Sequence, residues 1–338
     1  MDIIKKTPVA FCGLMLGVAS LGNLLKSFSE GIYMACGIAA GMLMLLFVLR
    51  CILFPQKLSN DMKSPVMASI AGTFSMALMQ LTVYARPWLG SASIYIWFLA
   101  IVLHIALIVY FTWKFIFKLQ MTNVYASYFI VYVGIVVASI TAPAYEKNWI
   151  GKGAFWFGLC TFAVLLVLVT ARYVKHEEVP DSTKPFICIY AAPMSLCIAG
   201  YIQSFKLVSY NFLLVMYAVA CLLYVFALIK AITYLRLPFY PSDAAFTFPF
   251  VISAIASKQL MGSAAALGHT LPALNYIVPT QTAVAAIAVL YTFIRFAVFL
   301  FTKPDRAAAV SNRSFAGVVK AGEGKGSEIL RNRYVKQR

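Results

Sequence analysis

Charge is what this sequence has least of. Asp, Glu, Lys and Arg make up 12% of 338 residues, against 62% hydrophobic residues. A soluble domain carries roughly 25% charged residues, so this chain cannot cover an aqueous surface, and the water-soluble globular class is excluded. Acidic residues are the scarcest, eleven in all. They fall at span ends, in links or in the tail: Asp2, Glu30, Asp61, Glu146, Glu177, Glu178, Asp181, Asp243, Asp305, Glu323 and Glu328. Proton relays and cation sites in membranes rely on carboxylates held within the bilayer, so a cation pathway or a carboxylate-based pump is disfavoured. Seven cysteines are scattered without a CxxC or Cys/His cluster, which reads as buried structural thiols and argues against a metal site. No Ser/His/Asp arrangement or Gly-rich phosphate loop stands out, so neither an enzyme nor a cofactor is expected. His104 falls mid-span and reads as a satisfied neutral histidine between helices.

What is abundant is long apolar runs. Mean hydropathy is +0.85, and stretches of about 18 or more apolar residues, each able to cross a hydrocarbon core of about 30 Å, recur from end to end. The runs place ten spans near 8–27, 32–53, 65–84, 92–114, 124–143, 154–174, 185–205, 211–234, 243–261 and 276–301. Residues 1–302 therefore read as one transmembrane domain, and 303–338 as a basic, flexible cytoplasmic tail. Orientation follows Lys and Arg. Twelve before the tail fall on one side, among them Lys5, Lys6, Arg50, Lys57, Lys114, Arg172, Lys184 and Lys230, and the tail adds nine. The other side holds six: Lys26, Arg86, Lys147, Lys152, Lys206 and Lys258. Both termini are thus expected in the cytoplasm of a plasma (inner) membrane, multi-pass protein. The net charge of +17 reads as topology plus attraction to anionic lipid; no nucleic-acid motif accompanies it.

The spans repeat. Odd spans open at Pro8, Pro65, near Val124, at Pro185 and near Asp243, a period of about 57–60 residues, and Thr7-Pro8, Ser64-Pro65 and Lys184-Pro185 are the same helix-start punctuation. The unit is a helical hairpin, present five times. Odd spans are rich in Gly, Ala and Ser; even spans carry bulkier stretches such as Leu43–Leu49. Small residues let membrane helices approach closely. The fold class expected is therefore all-α: ten transmembrane helices as five hairpins around a central pore, odd helices inside and even helices outside. Small residues marking ordinary helix contacts is the plainer alternative.

Within that frame a few residues carry chemistry. Lys26, Arg86, Lys147, Lys206 and Lys258 sit near the same ends of the five odd spans, where together they would form an anion-attracting vestibule. Taken singly, each is explained by snorkelling to the interface. Lys258 stands out among Ser253, Ser257 and Gln259. Pro193 and Pro249 lie inside helical runs and predict kinks. Phe246 and Phe248 flank Thr247 beside Pro249, and an aromatic beside a kink can plug a narrow pore by steric block and dewetting; ordinary packing is the competing reading.

Several short stretches, in order, resemble one family. They are Cys12-Gly13-Leu14-Met15-Leu16-Gly17-Val18-Ala19-Ser20-Leu21, Ser64-Pro65-Val66, Ala192-Pro193 and Ala245-Phe246-Thr247-Phe248-Pro249. On a ten-span, five-hairpin chain they are similar to the tellurite-resistance and C4-dicarboxylate transporter family, over about residues 8–302. That family includes plant guard-cell slow anion channels, fungal malate and sulfite transporters, and bacterial tellurite-resistance proteins. The resemblance implies a homotrimer in which each protomer has its own five-helix pore. It places the pore-blocking phenylalanine on Phe248 and supports Lys258 as pore-associated. The kink prolines that bacterial relatives have in inner helices one, three and five fall here on Met15, Ser75 and about Val131, which predicts fewer kinks. The function implied is an anion channel passing small inorganic or organic anions through a phenylalanine-gated pore. The alternative is a secondary transporter of C4-dicarboxylates or of sulfite- or tellurite-type oxyanions, coupled to protons or not.

Overall fold

The computed structural model describes residues 2–175 and 178–302; the tail expected from 303 onward lies outside them. Among the described residues there is no strand. Ten segments account for most of the described residues. They are α1 (Phe11–Leu25), α2 (Glu30–Leu53), α3 (Pro65–Ile70 continued by Gly72–Leu89), α4 (Ser93–Phe111), α5 (Tyr128–Tyr145), α6 (Asn148–Lys175), α7 (Asp181–Ser204), α8 (Tyr210–Tyr234), α9 (Pro241–Ala266) and α10 (Leu274–Phe301). Among the described residues, eight helical stretches are long and apolar enough to cross a membrane, and one of them, Pro65–Ile116, contains both α3 and α4. α1 is shorter but apolar. The protein is an all-α, multi-pass membrane protein.

Burial divides the segments by parity. The most apolar windows of α5, α7 and α9 are 78%, 94% and 78% buried, whereas those of α2, α6, α8 and α10 are only 22–33% buried. All of α1 except Asn23 and Leu25 is buried. The odd segments touch in sequence order, α1 to α3 to α5 to α7 to α9, and α9 returns to α1, so they close a ring. Each even helix packs on its own hairpin partner and also on the next odd segment, with α10 reaching α1. The outer helices show Ile38, Met42, Leu45, Val102, Val167 and Leu222 outward, the surface that lipid tails solvate. Exposed aromatic rings collect at the segment ends, Trp88, Tyr95, Trp149 and Tyr276 at one face and Trp113 and Phe117 at the other, as rings do at membrane–water interfaces.

The links are short and pinned. The α3–α4 turn passes through Gly90 at φ 53°, where a Cβ would be strained. A short helix, Pro55–Asp61, follows α2, and its Asp61 accepts a charge-assisted bond from Arg50, which is buried at the end of α2. Met62 then offers its carbonyl to the Tyr110 hydroxyl at 2.7 Å and to Lys114 Nζ at 3.3 Å, so the second hairpin is tied to this link.

Two readings from sequence change here. α6 begins at Asn148 rather than near 154, because Lys152 is accommodated at the interface with its amine 5.5 Å from the Phe205 ring centroid. The cysteines are not uniformly buried: Cys12, Cys188 and Cys197 are, but Cys160 is exposed, and Cys36, Cys51 and Cys221 are partly so on outer helices.

Candidate functional site

Four of the five inner segments, α3, α5, α7 and α9, are broken helices, α1 is continuous, and the breaks surround one place. α7 begins as a 3₁₀ helix, Asp181–Ala191, and turns α-helical at Ala192. α9 begins as a 3₁₀ helix, Pro241–Phe246, and resumes as α-helix at Phe248. Pro193 and Pro249 therefore occupy the first turn of a new helix rather than the bend of a continuous one. A first-turn N–H has no intrahelical partner, so proline costs nothing there. α3 and α5 break as well, at Ala71 and across Gly134–Val136, although neither has a proline at its break. The expectation of fewer kinks holds for α1, which runs unbroken through Met15, and fails for α3 and α5. Hydroxyls bond back to carbonyls three residues earlier, Ser69 to Val66 and Thr73 to Ile70 at 2.7 Å each, and such back-bonding loosens a helix.

His104 reaches inward from α4 to both breaks. It is fully buried; its Nε2 lies 3.1 Å from the Val131 carbonyl and its Nδ1 2.7 Å from Ser75 Oγ. A carbonyl can only accept, so Nε2 carries the proton and a neutral ring takes the serine's at Nδ1. The ring is the neutral, satisfied histidine that the sequence suggested.

The breaks enclose a cavity of about 50 Å³. Its wall comes from all five odd segments and from no other helix: Gly13 of α1 with Ala10 just before it; Ile70, Thr73 and Met76 of α3; Phe129, Ile130, Val133 and Gly134 of α5. α7 adds Phe186, Ile189, Ala192, Pro193 and Leu196, and α9 adds Ala244, Ala245, Phe248 and Pro249. Serine hydroxyls of the inner segments are turned away from the cavity. Ser69 is 2.7 Å from Ser127, and Ser195 is 3.2 Å from Ser253, so they join neighbouring inner segments. The remaining wall is apolar and offers water no hydrogen-bond partner.

Phe248, Pro193 and Pro249 thus come together at the cavity, while Phe246 is buried outside its wall. Two residues passed over in the sequence, Phe129 and Phe186, line it beside Phe248. With 26 phenylalanines in the chain, nothing local marks these two. A further feature had a visible signal. Gly13 and Gly17 form a GxxxG pair, the pattern of close helix contact, and the contact is Thr247. Its Oγ1 lies 3.0 Å from the Gly13 carbonyl, and a Cβ on Gly17 would come within 2.5 Å of the threonine side chain. Thr247 holds the break in α9, at φ −92° and ψ −88°, against α1.

The five basic residues lie at the other ends of the inner segments, and none lines the cavity. Lys258 Nζ donates to the Leu24 carbonyl at 3.0 Å and to Ser27 Oγ at the end of α1. Lys26 lies 3.9 Å from Glu30 and 4.4 Å from the Tyr33 ring centroid. Arg86 stands 5.9 Å from the Tyr145 ring centroid, joining the ends of α3 and α5. Lys147 is half-exposed and Lys206 exposed. At about 1.5 Å per residue, the rise from Phe248 to Lys258 is about 15 Å.

The architecture defines a class first: a multi-pass helical membrane protein whose inner helices, four of the five broken, ring an apolar cavity, with basic residues displaced to one end. The sequence then places the chain more narrowly. It matches the family described as voltage-dependent anion channel (SLAC1) over residues 6–297, and it belongs to that family. No curated protein matches it. The family's members are anion channels and transporters, and this chain is a membrane protein of anion transport.

Proposed function

We propose that the protein is an anion channel that passes small anions through the ring of α1, α3, α5, α7 and α9, and that Phe248 gates it. The observation that carries the reading is the cavity wall: five segments contribute to it, no acidic residue does, and Phe248 lines it beside the helix break at Pro249. An anion entering such apolar surroundings must shed water, and burying an unpaired charge costs many kcal/mol by order of magnitude. Phe129 and Phe186 thicken the same block. The vestibule formed by Lys26, Arg86, Lys147, Lys206 and Lys258 concentrates anions ahead of it. In this reading the rim faces outward, the termini lie in the cytoplasm of the plasma (inner) membrane, and three copies assemble with one pore each.

One observation favours the second reading, a proton-coupled carrier of dicarboxylates or oxyanions. Asp243 stands only three residues into α9, yet it is 3% exposed, with the charge of Arg295 facing it. Reconstitution in liposomes separates the two. A channel gives current that reverses at the Nernst potential of the imposed chloride or nitrate gradient at every pH. A carrier gives pH-driven uptake that Asp243→Asn abolishes. Native mass spectrometry of the detergent-solubilised protein should find three copies.

A further inference from the structure

A second cavity, larger than the central one, lies among the described residues. A groove of about 510 Å³ opens between α6 and α8, with the start of α7 as its floor. It lies at the face where the odd segments begin, the side rich in Lys and Arg. The floor is a 3₁₀ helix, Asp181–Ala191, in which residues three apart eclipse one another. One row, Lys184, Ile187 and Tyr190, faces the groove. The neighbouring row, Phe186, Ile189 and Ala192, faces the central cavity. A single 3₁₀ wall therefore separates the two spaces.

Polarity in the groove is graded. Leu166, Leu223 and Ile187 line its deeper part. Lys184, Lys230 and Tyr234 lie toward the membrane surface. Lys184 is paired with Asp181, so its charge is largely answered. Lys230 stands 5.9 Å from the Phe226 ring centroid and makes no ion pair with a described residue. Thr170 and Tyr190 hydroxyls are 3.0 Å apart; one proton joins them, and the second is free to donate. Both outer helices are lipid-facing, so whatever fills the groove must enter from the bilayer or its surface.

We infer that this groove binds an anionic glycerophospholipid of the adjoining leaflet, with the phosphate at Lys230 and the free hydroxyl proton, and an acyl chain against Leu166 and Leu223. A zwitterionic lipid fits the apolar part but gains little from the unanswered cation. A soluble anion gains the cation but leaves the apolar part unfilled.

Delipidated full-length protein in detergent, titrated with phosphatidylglycerol or phosphatidylcholine and read by native mass spectrometry, tests the site. One lysine near a membrane surface contributes enough that Lys230→Gln should weaken phosphatidylglycerol binding about fivefold. Phosphatidylcholine binding should not change, and Lys230→Arg should restore the preference. Lys118→Gln, an exposed cation on the same face, should leave both lipids unaffected. Leu223→Trp, which keeps every charge but fills the groove, should weaken both lipids. Equal losses in Lys118→Gln and Lys230→Gln would mean diffuse attraction to a basic protein and would overturn the site. Displacement of bound phosphatidylglycerol by millimolar inorganic phosphate, with Leu223→Trp silent, would assign the groove to a soluble anion instead. A melting temperature on each variant excludes loss of fold as the cause.

Discussion

Phe246 and Phe248 are two positions apart and part company at Thr247. The threonine's non-helical backbone lets the 3₁₀ start of α9 bury Phe246 away from the cavity, while Phe248, first residue of the α-helical part, enters the wall. The sequence could place both beside a proline; only the break decides which ring faces the axis. Phe248→Ala should therefore raise anion flux in liposomes, and a barrier lowered by only about 1.4 kcal/mol already multiplies the rate tenfold. Phe246→Ala should leave flux per folded protein unchanged and lower the detergent melting temperature, as truncation of a buried phenylalanine costs about 3–5 kcal/mol. Because Phe129 and Phe186 remain in the wall, the gain from Phe248→Ala should grow when Phe186→Ala is added. Flat flux with a lowered melting temperature for Phe248→Ala would reduce that ring to ordinary packing.

Between elements, the closest approach at the site is α1 against α9, and its glycines rank the consequences. A Cβ at Gly17 would collide with Thr247 at 2.5 Å, one at Gly13 would meet the Ala244 Cβ at 3.1 Å, and one at Gly41 on lipid-facing α2 would meet nothing within 4 Å. Overpacking of this kind costs about 1–3 kcal/mol. Melting temperatures should fall most for Gly17→Ala, less for Gly13→Ala and not at all for Gly41→Ala. The reverse order would mean that Thr247 moves freely and does not hold the break. The same contacts explain what could be read in advance. Span number, hairpin order and the inward odd segments follow from apolar length and from the Gly, Ala and Ser bias, both local properties of the chain. The breaks at Ala71 and Gly134 do not, because they arise from hydroxyl back-bonding and from His104 pressing in from α4. Phe129 lies ahead of the break at Gly134 and Phe186 on the 3₁₀ start of α7, so both stayed hidden with the irregular backbone that carries them.

Across the whole molecule, charge and cavity are kept apart, and this separation is itself testable. The rim carries Lys26, Arg86, Lys147, Lys206 and Lys258 with Glu30 and Glu146 among them, so its field stays positive, while the cavity about 15 Å deeper has no charged group in its wall. A field acting from the rim can raise the local anion concentration but cannot solvate an anion at Phe248. Its influence must then follow the Debye length, about 30 Å at 0.01 M salt and about 3 Å at 1 M. Lys258→Ala alone is an ambiguous probe, because the amine also fastens α9 to the end of α1 through Leu24 and Ser27. Lys206 is exposed at the rim, so Lys206→Gln removes charge while leaving the helix contacts in place. Single-channel conductance of Lys206→Gln should fall at 0.01 M salt and match the unsubstituted protein at 1 M. Lys258→Ala should lose conductance at both, the low-salt part from the field and the high-salt part from the loosened α1–α9 contact that positions Thr247 and Phe248. If Lys206→Gln is silent at low salt as well, the rim lysines are interface anchors that snorkel to the headgroups, and the concentrating field has to be sought in residues closer to the axis.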